Sequence, residues 1–302
     1  MEQIWAWGRS STAAHVTLDE WQQAGQWFSY GDHAIFSRTA GQGEVVLLLH
    51  AFPTASWDWY RLWPALTSRY RVMVADMLGF GFSDKPPHYR YSINDQADLQ
   101  QGWLEATGVE RVHLIAHNYG CSVAQELLAR ELEGGLRFDI ASVCFLNGAL
   151  FPEVHQPITL QKLLCGPLGG LVSRGFVRQV FDYNFSKLFG ERTKPSREEL
   201  DDFWQLLVYN NGQGILHRLI RYMEERRCHR HRWVSALQHT KVPLQLISGR
   251  ADPVSGMAMA ERFRTLVPQG DLVSLEHIGH YPHVEAPERV WREYLNFQRG
   301  LA

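Results

Sequence analysis

Leu114-Ile115-Ala116-His117-Asn118-Tyr119-Gly120 is the stretch from which the fold can be read. An aliphatic run with the look of a strand buried on both faces enters a tight turn. A helix, Gly120–Glu133, starts at once and is closed by Gly134-Gly135. Small residues, Ala116 and Gly120, stand two positions either side of Asn118. A residue on a sharp strand-to-helix turn needs such neighbours, because two elements pass closely and its own backbone is strained. The helix that follows aims free N–H groups at any negative charge developing beside the turn. This is the context of a nucleophile elbow. Asn is also a residue that tight turns tolerate for its own sake.

The same grammar repeats on both sides. Trp27–Tyr30 and Ala34–Ser37 read as strands joined through Gly31-Asp32, and Val45–Leu49, Arg71–Ala75 and Ser142–Leu146 as further strands. Ile93–Thr107 is a helix entered at Ser92 and closed by Gly108. Alternation of this kind predicts an α/β protein, a mostly parallel sheet with helices on both faces. From about 148 the strands stop. Leu160–Leu164, Phe176–Tyr183, Arg197–Tyr209 and Gly214–Arg226 read as helices, with loops at Gly166–Gly170 and Gly190–Pro195. Ser196 and Glu199 form a capping box. Strands return at Pro243–Ile247 and Leu272–Leu275 around the helix Gly256–Leu266, and Pro287–Phe297 is a last helix. The expectation is eight strands in a core of residues 1–147 and 233–302. A helical cap, 148–232, lies over the carboxyl edge of the sheet, where open α/β folds bind ligands.

Composition narrows the classes. The 302 residues are 45% hydrophobic and 21% charged, with 30 Lys+Arg against 32 Asp+Glu. Disordered, fibrous and coiled-coil chains are thereby excluded, and no global charge invites nucleic acid or an anionic membrane. The N-terminus lacks a basic start and an apolar core, so no signal peptide is expected, and no apolar run approaches the roughly 20 residues of a membrane span. Cys121, Cys144, Cys165 and Cys228 show no metal or disulfide spacing and read as reduced, mostly buried thiols of a cytoplasmic protein. Eleven Trp suit an apolar pocket, though core filling explains each of them as well.

Two further loops join the elbow. Asp252, in Gly249-Arg250-Ala251-Asp252-Pro253, follows one late strand, and His280, in Gly279-His280-Tyr281-Pro282, follows the next. A carboxylate there would orient the imidazole and leave its second nitrogen to activate water. Separately, each is an ordinary loop residue; together, after an elbow and in this order, they form a triad. Leu49-His50-Ala51-Phe52-Pro53 leaves the Val45–Leu49 strand. The backbone N–H groups of Phe52 and Tyr119 would form an oxyanion hole.

These residues carry a resemblance. His50-Ala51-Phe52-Pro53-Thr54, Asp76 to Asp84 with Lys85-Pro86, His117-Asn118-Tyr119-Gly120, Ala124-Gln125-Glu126-Leu127-Leu128, Asn147-Gly148, Arg232-Trp233-Val234, Asp252-Pro253-Val254 and His280-Tyr281-Pro282 resemble the α/β-hydrolases of the haloalkane dehalogenase and epoxide hydrolase subgroup. Within it they are most similar to mesoderm-specific transcript-like proteins and to the β-lactone decarboxylases of olefin biosynthesis. The resemblance implies a covalent alkyl- or acyl-enzyme on an elbow carboxylate, hydrolysed by water that His280 and Asp252 activate, with Phe52, Tyr119 and His50 at the oxyanion and substrate site. It implies a small hydrophobic substrate (an epoxide, a β-lactone or a haloalkane) and neither cofactor nor metal.

The chain departs from the pattern. Asn118 stands where the subgroup has a nucleophilic Asp, and an amide is a poor nucleophile at carbon. Ala51 replaces a Gly and would be strained if that position needs a positive φ. Tyr119 and Phe52 stand at the halide-clamp positions of dehalogenases. Tyr183, Tyr209 and Tyr222 fall on cap helices, where epoxide hydrolases carry activating tyrosines, but core packing accounts for them equally. Asn118 thus reads either as a replaced carboxylate or as the mark of a natural ligand-binding pseudo-hydrolase. A serine esterase is disfavoured, since Ser122 lies inside the helix. Gly79-Phe80-Gly81 is no dinucleotide loop. Residues 226–232, including Cys228-His229-Arg230-His231, read as a solvated basic face, and His283 as structural.

Overall fold

Continuous Val, Ile and Leu runs form strands that bury both faces, and eight of them make one sheet. In a computed structural model that describes residues 16–301, the strands are β1 (Gln26–Tyr30), β2 (His33–Ala40), β3 (Val45–Leu49), β4 (Arg71–Ala75), β5 (Arg111–His117), β6 (Asp139–Leu146), β7 (Leu244–Gly249) and β8 (Asp271–Leu275). The signal-peptide expectation concerns the first 15 residues, which lie outside the described ones. The order of the eight strands is β1-β2-β4-β3-β5-β6-β7-β8. The pairs β1–β2 and β2–β4 are antiparallel and all others parallel. In β5 every residue from Val112 to His117 is buried, as expected of a strand covered by helices on both faces.

The register positions the site. β5 lies between β3 and β6, with Leu49 opposite Ala116 and His117 opposite Leu146. The loops that leave β3 and β6 therefore flank the turn after β5. β7 and β8 follow in order on the β6 side, so their loops open on the same carboxyl edge.

Between β6 and β7 the described chain is helical: Thr159–Cys165, Gly169–Arg174, Arg178–Ser186, Arg197–Val208, Leu216–Leu219, Tyr222–Cys228 and Arg230–His239. The capping box forms, with the Ser196 Oγ accepting from the Glu199 N–H at 3.1 Å and the Glu199 Oε2 from the Ser196 N–H at 2.7 Å. Three expectations change. The glycine-rich stretch expected as a loop contains a helical turn, Gly169–Arg174. Its first glycine is a packing residue, since a Cβ there would meet the Leu164 carbonyl at 2.1 Å. The helix expected over Gly214–Arg226 breaks at Ile220–Arg221, where the chain tightens to i→i+3 bonds. The expected join at 232–233 falls inside Arg230–His239, a helix pinned to Tyr119–Leu132 by the Trp233 indole and the Arg232 guanidinium, both on Glu126.

The four cysteines are free thiols, two of them buried. No helix among the described residues is long and apolar enough to cross a membrane.

Candidate active site

The turn after β5 is strained at one residue. Asn118 has φ 47° and ψ −100° and precedes the helix Tyr119–Leu132. The close approach that demands a glycine is visible two residues on: a Cβ on Gly120 would meet the Leu49 carbonyl oxygen at 2.3 Å. The Gly120 N–H donates to the His50 carbonyl at 3.0 Å, tying the turn to the β3 exit loop. The first N–H of the helix, that of Tyr119, is one no helical carbonyl can take.

Around Asn118 the loops bring the expected partners together. Phe52 N–H donates to Asn118 Oδ1 at 3.3 Å. Asn118 Nδ2 lies 2.9 Å from His280 Nε2, and His280 Nδ1 lies 2.7 Å from Asp252 Oδ2. With a carboxylate on Nδ1, that nitrogen carries the proton and Nε2 presents its lone pair, so the Asn118 amide is the donor. All three side chains are buried.

Sequence reading missed how firmly the acid is held. Oδ2 of Asp252 also accepts from Asn147 Nδ2 at 2.6 Å and from the Ser255 hydroxyl at 2.7 Å, and Oδ1 accepts from the Val254 N–H at 2.7 Å. Burial alone would raise its carboxyl; the His280 imidazole, Ser255 and Val254 together outweigh burial and hold it at about 2. Asn147 directly follows β6 and has φ 40°, and an Asn-Gly pair after a buried strand was the available signal.

His50 departs from the substrate-binding role expected of it. Its Nδ1 donates to the Ala51 carbonyl at 2.8 Å and its Nε2 accepts from the Met77 N–H at 2.9 Å. Burial keeps this ring neutral, and both nitrogens brace the loop, leaving none for a substrate. Ala51 is not among the positive-φ residues, so the Gly-to-Ala departure costs no strain. Its N–H donates to Asp58 at 3.2 Å.

Residues 226–232 are a solvated basic face only in part: Arg227 and His231 are exposed, but Arg226 turns inward. Arg226 is 1% exposed; its Nε donates to the Ser122 hydroxyl at 2.7 Å and its Nη2 to the Asn118 carbonyl at 2.9 Å. The guanidinium lies over the Tyr222 ring, 4.5 Å from its centroid. Arg230 pairs with Glu153 and Arg232 with Glu126 and Glu133. A basic run does not reveal which of its members turn inward; helical phase does, and Arg226 shares the inward face with Tyr222.

A partly open cavity lies above Asn118 and His280, walled by Leu164, Phe181, Phe185 and Leu216 from the helical insertion. Phe52 lines it, whereas Tyr119 packs its ring against Phe80 and Tyr222. None of Tyr183, Tyr209 and Tyr222 lines the cavity, nor does any Trp among the described residues. Behind His280, His117 donates Nε2–H to the His280 carbonyl at 2.8 Å. His117, Asp58 and His283 bring ligand atoms within 4.8 Å of one another and are the residues that could hold a metal among those described. His283 is fully buried and stacks on Trp59.

Known proteins are similar to this chain to different depths. A family model described as alpha/beta hydrolase fold matches residues 44–165. The mesoderm-specific transcript protein of Mus musculus is 39% identical over 292 residues, 93% of this chain and 87% of its own length. LipZ of Mycobacterium tuberculosis is 38% identical over 273 residues, 90% of this chain and 94% of its own. The crystal structure of the haloalkane dehalogenase DbeA from Bradyrhizobium elkani superposes with a TM-score of 0.78 at 18% identity, covering 92% of this chain and 98% of that one. That likeness is one of fold.

Proposed function

Because this chain belongs to the α/β-hydrolase family, we propose that its cavity is the site of a carboxylate-nucleophile hydrolase for apolar substrates, arrested at the first step by Asn118. The observation that carries the reading is the position of the Asn118 amide, suspended between the Phe52 N–H and His280 Nε2. A carboxylate at 118 would accept the Phe52 hydrogen bond in the same way and present a free oxygen to a bound electrophile. Attack forms an ester to residue 118 and breaks a C–O or C–halide bond, whose electrons leave with the oxygen or halide. His280 Nε2 then takes a proton from water, the hydroxide adds to the ester carbonyl, and Phe52 and Tyr119 N–H groups hold the oxyanion. Collapse expels the alkoxide, which takes the carboxyl proton and leaves as the product alcohol while residue 118 returns as a carboxylate, and the proton on His280 passes to the oxygen anion formed in the first step or to solvent.

With Asn118 neither half proceeds. The amide lone pair is delocalised, and the Nδ2 hydrogen occupies the imidazole lone pair that water would need. The chain as it stands binds without turnover, the behaviour of a ligand-binding pseudo-hydrolase. The cavity lining ranks the electrophiles. A halide would lack an indole clamp and an epoxide oxygen would lack a phenol to protonate it. A β-lactone opened at its sp3 carbon leaves as a carboxylate and needs neither.

The test is intact-protein mass spectrometry of Asn118→Asp and of Asn118→Asp with His280→Ala, each incubated with β-lactones, epoxides, haloalkanes and short esters. The single variant should turn over, the double variant should accumulate an adduct that peptide mapping places on residue 118, and the unaltered chain should show none. An adduct on another residue, or two folded variants inert toward every class, would overturn the reading.

A further inference from the structure

Ten large apolar side chains stand exposed among the described residues, and six of them fall between 163 and 183: Leu163 (52%), Leu168 (64%), Leu171 (66%), Val177 (48%), Val180 (38%) and Tyr183 (63%). Single exposed hydrophobics are ordinary, but a concentration on three successive short helices and the residues that cap them is not. The same helices bury Leu164, Phe181 and Phe185 against the cavity. Their apolar content therefore exceeds what lining the cavity requires.

The charges in this stretch are equally one-sided. From 156 to 190 the sequence holds Lys162, Arg174, Arg178 and Lys187 against a single acid, Asp182. Asp182 is taken up by Arg178. Lys162, Arg174 and Lys187 are exposed, and none is in an ion pair with a carboxylate among the described residues. Lys187 lays its ammonium over the Tyr183 ring, 3.8 Å from the centroid, so an aromatic face and a cation are presented side by side. A whole-chain charge of −2 conceals this local excess of three cations.

We propose that the face formed by Thr159–Cys165, Gly169–Arg174 and Arg178–Ser186 docks on an anionic lipid surface. Leu163, Leu168, Leu171, Val177 and Val180 enter the boundary between headgroups and acyl chains, Tyr183 sits at headgroup depth, and Lys162, Arg174 and Lys187 meet lipid phosphates. Docking there brings helices that wall the cavity to the phase in which an apolar substrate is most concentrated. The proposal is independent of the chemistry at residue 118, since it rests on the outer face of these helices alone.

Co-sedimentation of the purified full chain with vesicles tests it. Vesicles of equimolar phosphatidylglycerol and phosphatidylcholine should carry the protein down, pure phosphatidylcholine vesicles much less, and added salt should reverse the binding. Leu168→Glu with Leu171→Glu, and separately Lys162→Glu with Lys187→Glu, should each weaken binding by about tenfold or more while leaving the circular dichroism spectrum and unfolding midpoint unchanged. Leu171→Ser with Val177→Ser is the milder pair should the glutamates disturb the helices. A chain that stays in the supernatant with both vesicle types, or variants that bind as the parent does, would refute the proposal. A dimer in light scattering that Leu168→Glu with Leu171→Glu dissolves would assign the face to a second copy instead and overturn it too.

Discussion

The guanidinium of Arg226 reaches from the helical insertion to the carbonyl oxygen of Asn118, Nη2 to O at 2.9 Å. What it touches is that carbonyl, the Ser122 hydroxyl and the Tyr222 ring, none of them a charge, and Nη1 has no partner. Burial accordingly pulls the guanidinium below its usual basicity. A carboxylate introduced at 118 would supply the missing counter-charge. Asn118→Asp should therefore stabilise the Arg226 chain by about 1–3 kcal/mol relative to its effect in an Arg226→Met background. Urea unfolding of the four chains measures the coupling, and equal effects in both backgrounds would dismiss Arg226 as the counter-ion.

Halide should find no clamp. Phe52 and Asn118 line the cavity without an indole N–H beside them, so bromide and iodide should quench the tryptophan fluorescence only by collision, linearly with concentration. Saturable quenching at millimolar halide that Phe52→Asp abolishes would make dehalogenation the leading chemistry.

Asp252 sets a stability window in acid. Its carboxyl is held at about 2 against an ordinary 3.8, a difference that corresponds to about 2 kcal/mol. Because the folded value is the lower one, this stabilisation is complete above the unfolded value and is lost as pH falls from about 4 to about 2. The unfolding free energies of the parent and Asp252→Asn should thus differ most above pH 4 and converge toward pH 2. A gap that does not change with pH would show that the loss comes from packing.

Two glycines should answer oppositely to alanine. At Gly120 the added methyl meets the Leu49 carbonyl oxygen at 2.3 Å, whereas at Gly102, exposed in the helix Ile93–Ala106, it meets nothing within 4 Å. Gly120→Ala should destabilise by about 3 kcal/mol or more. Gly102→Ala should stabilise by about 0.5–1 kcal/mol through helix propensity. Thermal unfolding of both reads the contrast.

What the sequence made legible was whatever rests on local periodicity. Unbroken aliphatic runs such as Val45–Leu49 announced the strands because a strand buried on both faces admits nothing else. That Asn118, His280 and Asp252 come together was legible because they sit at strand exits, Asp252 after β7 and His280 after β8. What escaped depended on partners distant in sequence. Glycines suggested a loop at 166–170, yet Gly169 begins a helix because Leu164 leaves no room for a Cβ. Arg226 looked like one more surface cation, since its acceptors lie more than 100 residues away at Asn118 and Ser122. His50 was assigned to substrate because nothing local disclosed that Met77 would take its second nitrogen.

The strand order also fixes when the site can first exist. Phe52 and Asn118 leave strands at the centre of the sheet, whereas His280 follows β8, the edge strand, which pairs with β7 alone. A growing chain completes the elbow and its oxyanion donors more than 150 residues before the base emerges. His280 is therefore the last member of the Asn118–His280–Asp252 chain to be synthesised, and its place depends on an edge strand held by a single neighbour.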